Sequence, residues 1–396
     1  MTGRVLIAGA GIGGLTAALA LIARGQDVVV LEQARVLREL GAGVQLGPNG
    51  TRVLIALGLG PALEAVVCPA AGKAIRLWNT GQTFPLFDLG ESAVARYGAP
   101  YWMVHRGDLH AILLAALTAR QPDALRLGAT VAGFAQDAGA VSVRLADGET
   151  VAGAVLVAAD GVHSAVRRQM VGEGGARFTG LMAWRGLVAM ERLPAHQRQL
   201  VGTNWNGSGG HVVTYPLRRG AILNFVGVAE RVDWTAESWN DPGTVAECAG
   251  DFRFWHDDIQ RIIAAIDTPY KWALLGREPL TCLVAGRVAL LGDAAHPMLP
   301  FMAQGANMAI EDGAILARCL AGSDDAIEAL RRYDAARGAR TARAVRGSLE
   351  NATRFHNPAL AEAAGAAAYV AQEWTAEKTA ARYDWAYEYD ALTAPV

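Results

Sequence analysis

Cysteine is scarce in this chain, four in 396 residues (Cys68, Cys248, Cys282 and Cys319), and none forms a C-x-x-C pair. That excludes a disulfide-stapled scaffold and makes a reducing cytoplasm the expected home. Long apolar runs are missing as well: the stretches 15–23 and 111–119 stop well short of the roughly 20 residues a spanning helix needs. No secretory leader is expected, because Arg4 runs straight into the strand-like Val5-Leu6-Ile7-Ala8. Neither sign of charge dominates, with 36 Lys plus Arg against 38 Asp plus Glu and a net of −2, which argues against nucleic acid or an anionic membrane as partner. No G-x-S-x-G, H-E-x-x-H or P-loop occurs, so serine hydrolase, zinc peptidase and NTPase chemistries lack their nucleophile or phosphate cradle. His105, Asp108 and His110 have no further ligand spaced to complete a metal site, and none is expected.

What is present suits a large folded core: 52% hydrophobic and 19% charged residues exclude wholesale disorder. The N-terminus reads strand, glycine turn, helix, strand: Val5–Ala8, then Gly9-Ala10-Gly11-Ile12-Gly13-Gly14, then an apolar helix to Arg24, then Val28-Val29-Val30-Leu31. Residues 35–60 read as loop, His110 to Arg120 as helix, and Leu125–Val131, Val141–Leu145 and Val151–Ala159 as strands around an Asp147-Gly148 turn. Between about 181 and 272 the character changes. Six of the ten Trp (184, 205, 234, 239, 255 and 272) fall there, His211–Leu217 and Ala221–Val228 alternate about Arg218-Arg219-Gly220, and a helix is expected only near Asp258–Ile266. Arg287–Leu291 reads as a buried strand, and from Ala303 the chain is helical almost to its end, with a break at Pro358. The arginines at 331, 332, 337, 340, 343 and 346 read as a solvated helix face. The fold expected is α/β: a Rossmann-like dinucleotide domain, an inserted β-sheet domain and a C-terminal helical segment. The boundaries expected are 1–75, 98–178 and 272–345 for the first, 76–97 and 179–271 for the second, and 346–396 for the third.

Gly9-x-Gly11-x-x-Gly14 fits the dinucleotide fingerprint, with Gly9 making the turn, Gly11 admitting a pyrophosphate and Gly14 letting helix pack on strand. The pyrophosphate would sit at the helix N-terminus, beside Gly13 as well. Glu32 ends the second strand 23 residues after Gly9, where an acid binds ribose hydroxyls and disfavours a 2′-phosphate. The ligand is therefore FAD or NAD, and no second fingerprint follows a strand elsewhere; the residues alone leave that choice open.

Further stretches carry a resemblance. Ala158-Ala159-Asp160-Gly161-Val162-His163-Ser164-Ala165-Val166-Arg167 resembles the Asp-Gly motif of single-component flavoprotein aromatic hydroxylases, and Leu291-Gly292-Asp293-Ala294-Ala295-His296-Pro297 their Gly-Asp motif. Gln304-Gly305-Ala306-Asn307, Glu311-Asp312, Gly41-Ala42-Gly43-Val44-Gln45 and His105-Arg106-Gly107-Asp108 continue the pattern in order. The branch most resembled holds salicylate 1-hydroxylase, 3-hydroxybenzoate 6-hydroxylase and 6-hydroxynicotinate 3-monooxygenase. The resemblance implies bound FAD, NADH (or NADPH) and O2 as co-substrates, a flavin C4a-hydroperoxide as hydroxylating agent, and a phenolic aromatic acid as substrate. It places Gly43, Arg106, Val131, Asp160, Asp293, Pro300, Gly305, Ala306 and Asn307 on the cofactor with the N-terminal glycines and Glu32. A helix cap for Asp293, a surface cation for Arg106 and an Asp160–Arg167 clamp are the plainer readings.

His211 and Tyr215 are four apart on an alternating strand and so face one way. The resemblance puts them, with Gln45, on the substrate's phenolic hydroxyl, and the Trp-rich sheet is expected to wall the pocket. Gln45 stands where the 6-hydroxynicotinate enzymes resemble one another in carrying His, and Pro300 where the 3-hydroxybenzoate 6-hydroxylases carry Gln, so salicylate-type oxidative decarboxylation leads. A flavoprotein-fold binding module without turnover is the reading from another class. A homodimer built on the helical C-terminus is the expectation for assembly.

Overall fold

The computed structural model describes residues 3–37, 42–172, 176–231 and 241–396; Gly41, Trp234 and Trp239 of the sequence reading lie outside the described residues. Val5–Ala8 is buried throughout and pairs in parallel with both Val28–Glu32 and Val155–Ala158, as β-branched runs covered on both faces do. The six-stranded sheet runs Val284–Ala285, Val288–Leu290, Val155–Ala158, Val5–Ala8, Val28–Glu32, Leu125–Leu127. The helices Ile12–Ile22, Arg106–Arg120 and Gly305–Ala321 bury their apolar residues in the same core as this sheet.

Two local expectations are corrected. Residues 35–60 are not mainly loop: Gly43–Leu46 is a strand paired with Trp102–His105, and Pro48–Ala56 is a helix with Pro at its first turn, a placement its missing N–H tolerates. Val151–Ala159 is not one strand. Thr150–Gly153 pairs with Val141–Leu145, and after Ala154 the chain enters the parallel sheet as Val155–Ala158. Gly153 marks the crossing, since a Cβ there would lie 2.7 Å from Leu6 Cγ.

The second large sheet has eight strands in the order Asp241–Pro242, Tyr270–Gly276, Arg177–Ala189, Ile222–Glu230, Gly210–Leu217, Gly202–Gly207, Gly72–Leu77, Thr83–Asp88. Gly72–Leu77 and Tyr270–Gly276 thus span the expected boundaries at 75/76 and 271/272. One face packs on the helices Val245–Asp251 and Asp257–Ala264, and here Trp184 and Trp205 sit with Phe225 and Phe252. The other face carries Tyr215, Val228 and Trp272, and is covered by Leu299, Phe301, Phe355, Trp374, Tyr383 and Tyr387. The expectation that the tryptophans wall the pocket is therefore wrong for Trp184 and Trp205: alternation along their strands turns them to the far face, and the C-terminal helices supply the aromatic cover instead. No helix among the described residues is long and apolar enough to cross a membrane.

Candidate active site

Four backbone ends converge at one edge of the parallel sheet: Gly9 after Ala8, Glu32, Asp160 after Ala158, and Asp293 after Leu290. The crevice beyond the C-terminal strand ends is where open α/β sheets bind ligands. Gly9 adopts φ +97°, and a Cβ there would stand 2.5 Å from Ala159 O; one on Gly14 would stand 2.1 Å from Gly9 O. Those two glycines serve turn and packing. Gly11 differs, because nothing lies within 4 Å of its Cβ position. The loop is open there, at the N-terminus of a helix with no side-chain cap, which suits a diphosphate. Gly13 packs against Leu291 and Ala309. The Glu32 carboxylate accepts from the N–H groups of Ala10 and Ala34, both at 2.8 Å, and is thereby fixed at the strand end. Val131, half-buried, opens its own strand two residues past Ala129, whose N–H donates to Glu32 O at 2.8 Å.

Asp160 Oδ2 accepts from Ala165 N at 3.1 Å, whereas Oδ1 is buried with no hydrogen-bond partner. Burial raises this carboxyl, only partly offset by the bonds from Ser164 and the following backbone. No ion pair joins it to Arg167, whose Nη1 donates to Ala294 O at 3.3 Å, so the clamp is absent. Asp293 is exposed at the crevice, and its side chain caps neither end of the turn Gly292–Ala294. Arg106 begins the helix Arg106–Arg120; its N–H donates to Ala42 O at 2.8 Å, and its charge acts on the buried Arg185.

Pro300 is exposed and opens a short turn ending at Ala303, a non-glycine residue held at φ +53° just before the helix Gly305–Ala321. Asn307, in that helix's first turn, donates from Nδ2 to Gln45 O (3.1 Å) and Ala303 O (2.7 Å) and accepts at Oδ1 from Gly47 N (2.9 Å). It staples the Gly43–Leu46 strand to the helix start, where a Gly305 Cβ would meet nothing nearer than 3.9 Å. Open space at Gly11 and Gly305, an orphaned Asp160 oxygen and a fixed Glu32 carboxylate fit FAD.

Behind this turn lies a charge network that the sequence reading missed. Asp312 accepts from His296 Nε2 (2.6 Å), Arg337 Nε (2.6 Å) and Gly292 N (3.0 Å), while Glu311 accepts from Arg337, Arg340 and Asn49. Burial alone would raise the Asp312 carboxyl, but His296 and Arg337 hold it down to about 2. Arg337 has no exposed surface, so the expected solvated face does not hold there; its partners come from the preceding helix.

The substrate side begins where the two sheets meet. A Cβ on Gly43 would lie 2.4 Å from the Tyr215 ring, so only glycine lets the tyrosine reach this loop. Tyr215 is buried, makes no hydrogen bond among the described residues, and its phenol is pushed up by burial, hence protonated. His211, on the same face, lies within 5.1 Å centroid distance of both Phe301 and Phe355, and burial holds its imidazole well below the usual range. Asn206 sits directly across from His211, with neither end of its buried amide bonded. Gln45 Oε1 accepts from Tyr101 OH at 2.8 Å. Over that Tyr101 ring, 4.8 Å from its centroid, lies the ammonium of Lys73, with no hydrogen bond or ion pair among the described residues. Burial pushes its amine down to about 7. Lys73 is one of three lysines in the chain, and that rarity was the signal available in the sequence.

Comparisons with known proteins agree with this geometry. The sequence profile of a family described as FAD binding domain matches residues 2–348. The chain is 40% identical over 356 residues to a 3-amino-4-hydroxybenzoate 2-monooxygenase of Streptomyces platensis, covering 90% of this chain and 89% of that one. It is 38% identical to 3-hydroxybenzoate 6-hydroxylase 1 of Aquipseudomonas alcaligenes, with 94% and 93% covered. Among solved structures, Klebsiella pneumoniae HpxO complexed with FAD and uric acid superposes with a TM-score of 0.84 at 30% identity over 99% and 97% of the two chains, and a salicylate hydroxylase substrate complex with 0.81 at 26% over 98% and 96%. A glycine loop open at Gly11, acids at three strand ends and a match along nearly the whole length have one reading: this chain belongs to the FAD-binding-domain family and is an FAD-dependent aromatic monooxygenase of the hydroxybenzoate and hydroxynicotinate hydroxylase branch.

Proposed function

We propose that the protein hydroxylates a phenolic aromatic acid whose carboxylate stands meta or para to the hydroxyl, at the expense of NAD(P)H and O2. The observation that carries this reading is the separation of Lys73 from His211 on one sheet face. His211 is opposite Asn206, which is opposite Leu77, and Lys73 is four residues from Leu77 along its strand. Four residues are about 13 Å and two strand spacings about 10 Å, so the two Cα atoms stand about 16 Å apart. Lys73 would hold the carboxylate and His211, with Tyr215 beside it, the phenol. Substituents on neighbouring ring carbons, as in salicylate, cannot reach both. That moves the preference from salicylate to its positional isomers, and the 3-hydroxybenzoate and 3-amino-4-hydroxybenzoate relatives support the move.

FAD, when bound, would pass on two electrons from NAD(P)H and activate O2 as the source of the electrophilic oxygen. Gly11, Glu32, Asp160, Asp293, Gly305, Ala306 and Asn307 would hold it, with backbone N–H groups of the helix start favouring negative charge on the ring. The chain's own part is to orient the acid at Lys73 and to take the phenol proton at His211, because a phenolate ring is the better nucleophile. Phe301, Phe355 and Tyr387 keep water from the reacting atoms. A groove of about 570 Å³ lined by Arg167, Arg177 and Arg277 and by Pro297–Leu299 offers the cations that a nicotinamide dinucleotide's phosphates require. The test is a panel of salicylate, 3-hydroxybenzoate, 4-hydroxybenzoate, 3-amino-4-hydroxybenzoate and 6-hydroxynicotinate, following NADH, product and H2O2. Coupled conversion of a meta or para acid is expected. Catechol from salicylate, with the other acids inert, would refute the reading.

A further inference from the structure

His211 has two ring nitrogens, and one of them is committed to a second histidine. Its Nδ1 lies 2.6 Å from Nε2 of His356, a residue 145 positions later at the end of the helix Ala326–Phe355. The two rings are 4.9 Å apart between centroids. His356 Nδ1 in turn lies 3.4 Å from Glu230 Oε1, and the Glu230 side chain is 59% exposed while that of His356 is 5% exposed. Phe301 and Phe355 flank His211, so the imidazole pair runs through an apolar sleeve from the pocket to a surface carboxylate. The charged and titratable groups that act on the pair are each other and Glu230.

We propose that His211, His356 and Glu230 form a proton wire that carries the substrate's phenolic proton to solvent, with His356 as its relay. An imidazole suits this task because it takes a proton on one nitrogen while releasing one from the other. The phenol O–H bond breaks as Nε2–H forms on His211; the Nδ1 proton of His211 passes to Nε2 of His356; the Nδ1 proton of His356 passes to the Glu230 carboxylate and from there to water. Neither imidazole is left charged and the phenolate is the one new charge inside, which matters because burial disfavours imidazolium at both positions. When product is reprotonated the same chain runs backwards and restores the starting tautomers.

The wire rests on the phenolic-acid reading above, and the experiment separates the two. The wild-type holoenzyme is mixed with 3-hydroxybenzoate or 4-hydroxybenzoate, whichever binds tighter by flavin absorbance, in weak buffer with a pH indicator. His356→Ala should slow proton release at least tenfold while leaving Kd within about threefold, and added imidazole should restore the rate. An unchanged rate overturns the wire, and so does a slow rate that imidazole leaves slow. If His356→Ala does not retain FAD, His356→Gln keeps the packing and the contact but cannot relay, so the same slowing is expected and a wild-type rate is refuting. Glu230→Gln, at the surface, should slow release severalfold; no change there counts against the outlet. Without any ligand, the wild type should show a strongly deshielded imidazole N–H resonance that disappears in His356→Ala, and its absence removes the His211–His356 bond. A wild type that binds neither acid but shows this resonance would refute the substrate reading, and with it the phenol as proton source, while supporting the His211–His356 bond.

Discussion

Replacing Lys73 by Met isolates the carboxylate contact, since the thioether chain keeps most of the volume and the apolar stem while deleting the charge. A hydrogen-bonded contact to a charged group contributes about 1.5–3 kcal/mol, so Kd for 4-hydroxybenzoate should rise about ten- to a hundredfold. Phenol, which lacks the carboxylate, should bind both proteins equally. The contact also has a pH signature. The ligand-free amine sits at about 7, so the cation is present below that value and lost above it; binding of the acid should weaken as pH rises through 7 and draw a proton from solvent there. In Lys73→Met the same titration should be flat. Folding lowers this amine, so the charged form opposes folding at neutral pH, and the variant's Tm should equal or exceed that of the wild type. The assay is titration of the flavin spectrum from pH 6 to 8.5. A Kd within twofold of wild type, with the pH dependence intact, would refute the assignment.

Gly11→Val should give colourless apoprotein, because the space at its Cβ is open and a side chain there would occupy the diphosphate's place; normal flavin content on purification contradicts this. Tyr215→Phe should keep FAD and slow hydroxylation about ten- to a thousandfold, the general range for a lost acid–base or orienting group, read as product formed in single turnover. Arg337→Met leaves Glu311 and Asp312 buried with less compensation, so stability should fall by about 3–5 kcal/mol in a urea titration. Asp312 stabilises the fold above its unfolded value of 3.8, and that stability is lost as pH falls from there through about 2; Asp312→Asn should flatten the urea midpoint between pH 4 and 2.

The cofactor side was legible because its signals are local. Gly9, Gly11, Gly14 and Glu32 form a spacing that one strand-turn-helix unit imposes, and Asp160 and Asp293 come at the ends of recognisable buried strands. The substrate side was legible only in part. Alternation put His211 and Tyr215 on a common face, yet could not tell which face looks inward, so Trp184 and Trp205 were assigned to the wrong wall. The rarity of lysine marked Lys73 without placing it, and nothing marked His356: cross-strand register over two strands puts the first on the sheet face of His211, and the end of a 30-residue helix brings the second to His211. Arg337 read as solvated because its carboxylate partners belong to another helix.

The helices Ala363–Glu373 and Ala376–Tyr387 lie beyond the portion that builds the dinucleotide fold, yet Trp374, Tyr383 and Tyr387 roof the face carrying Tyr215. Part of the cover over the substrate side is thus written in a stretch of chain apart from the glycine loop. Exchange of residues 363–387 would reshape that roof, but the last residues belong with the dinucleotide fold, because Ala391 is buried in its core and Arg52, Arg318 and Arg332 donate to Tyr389 O, Ala391 O and Val396 O.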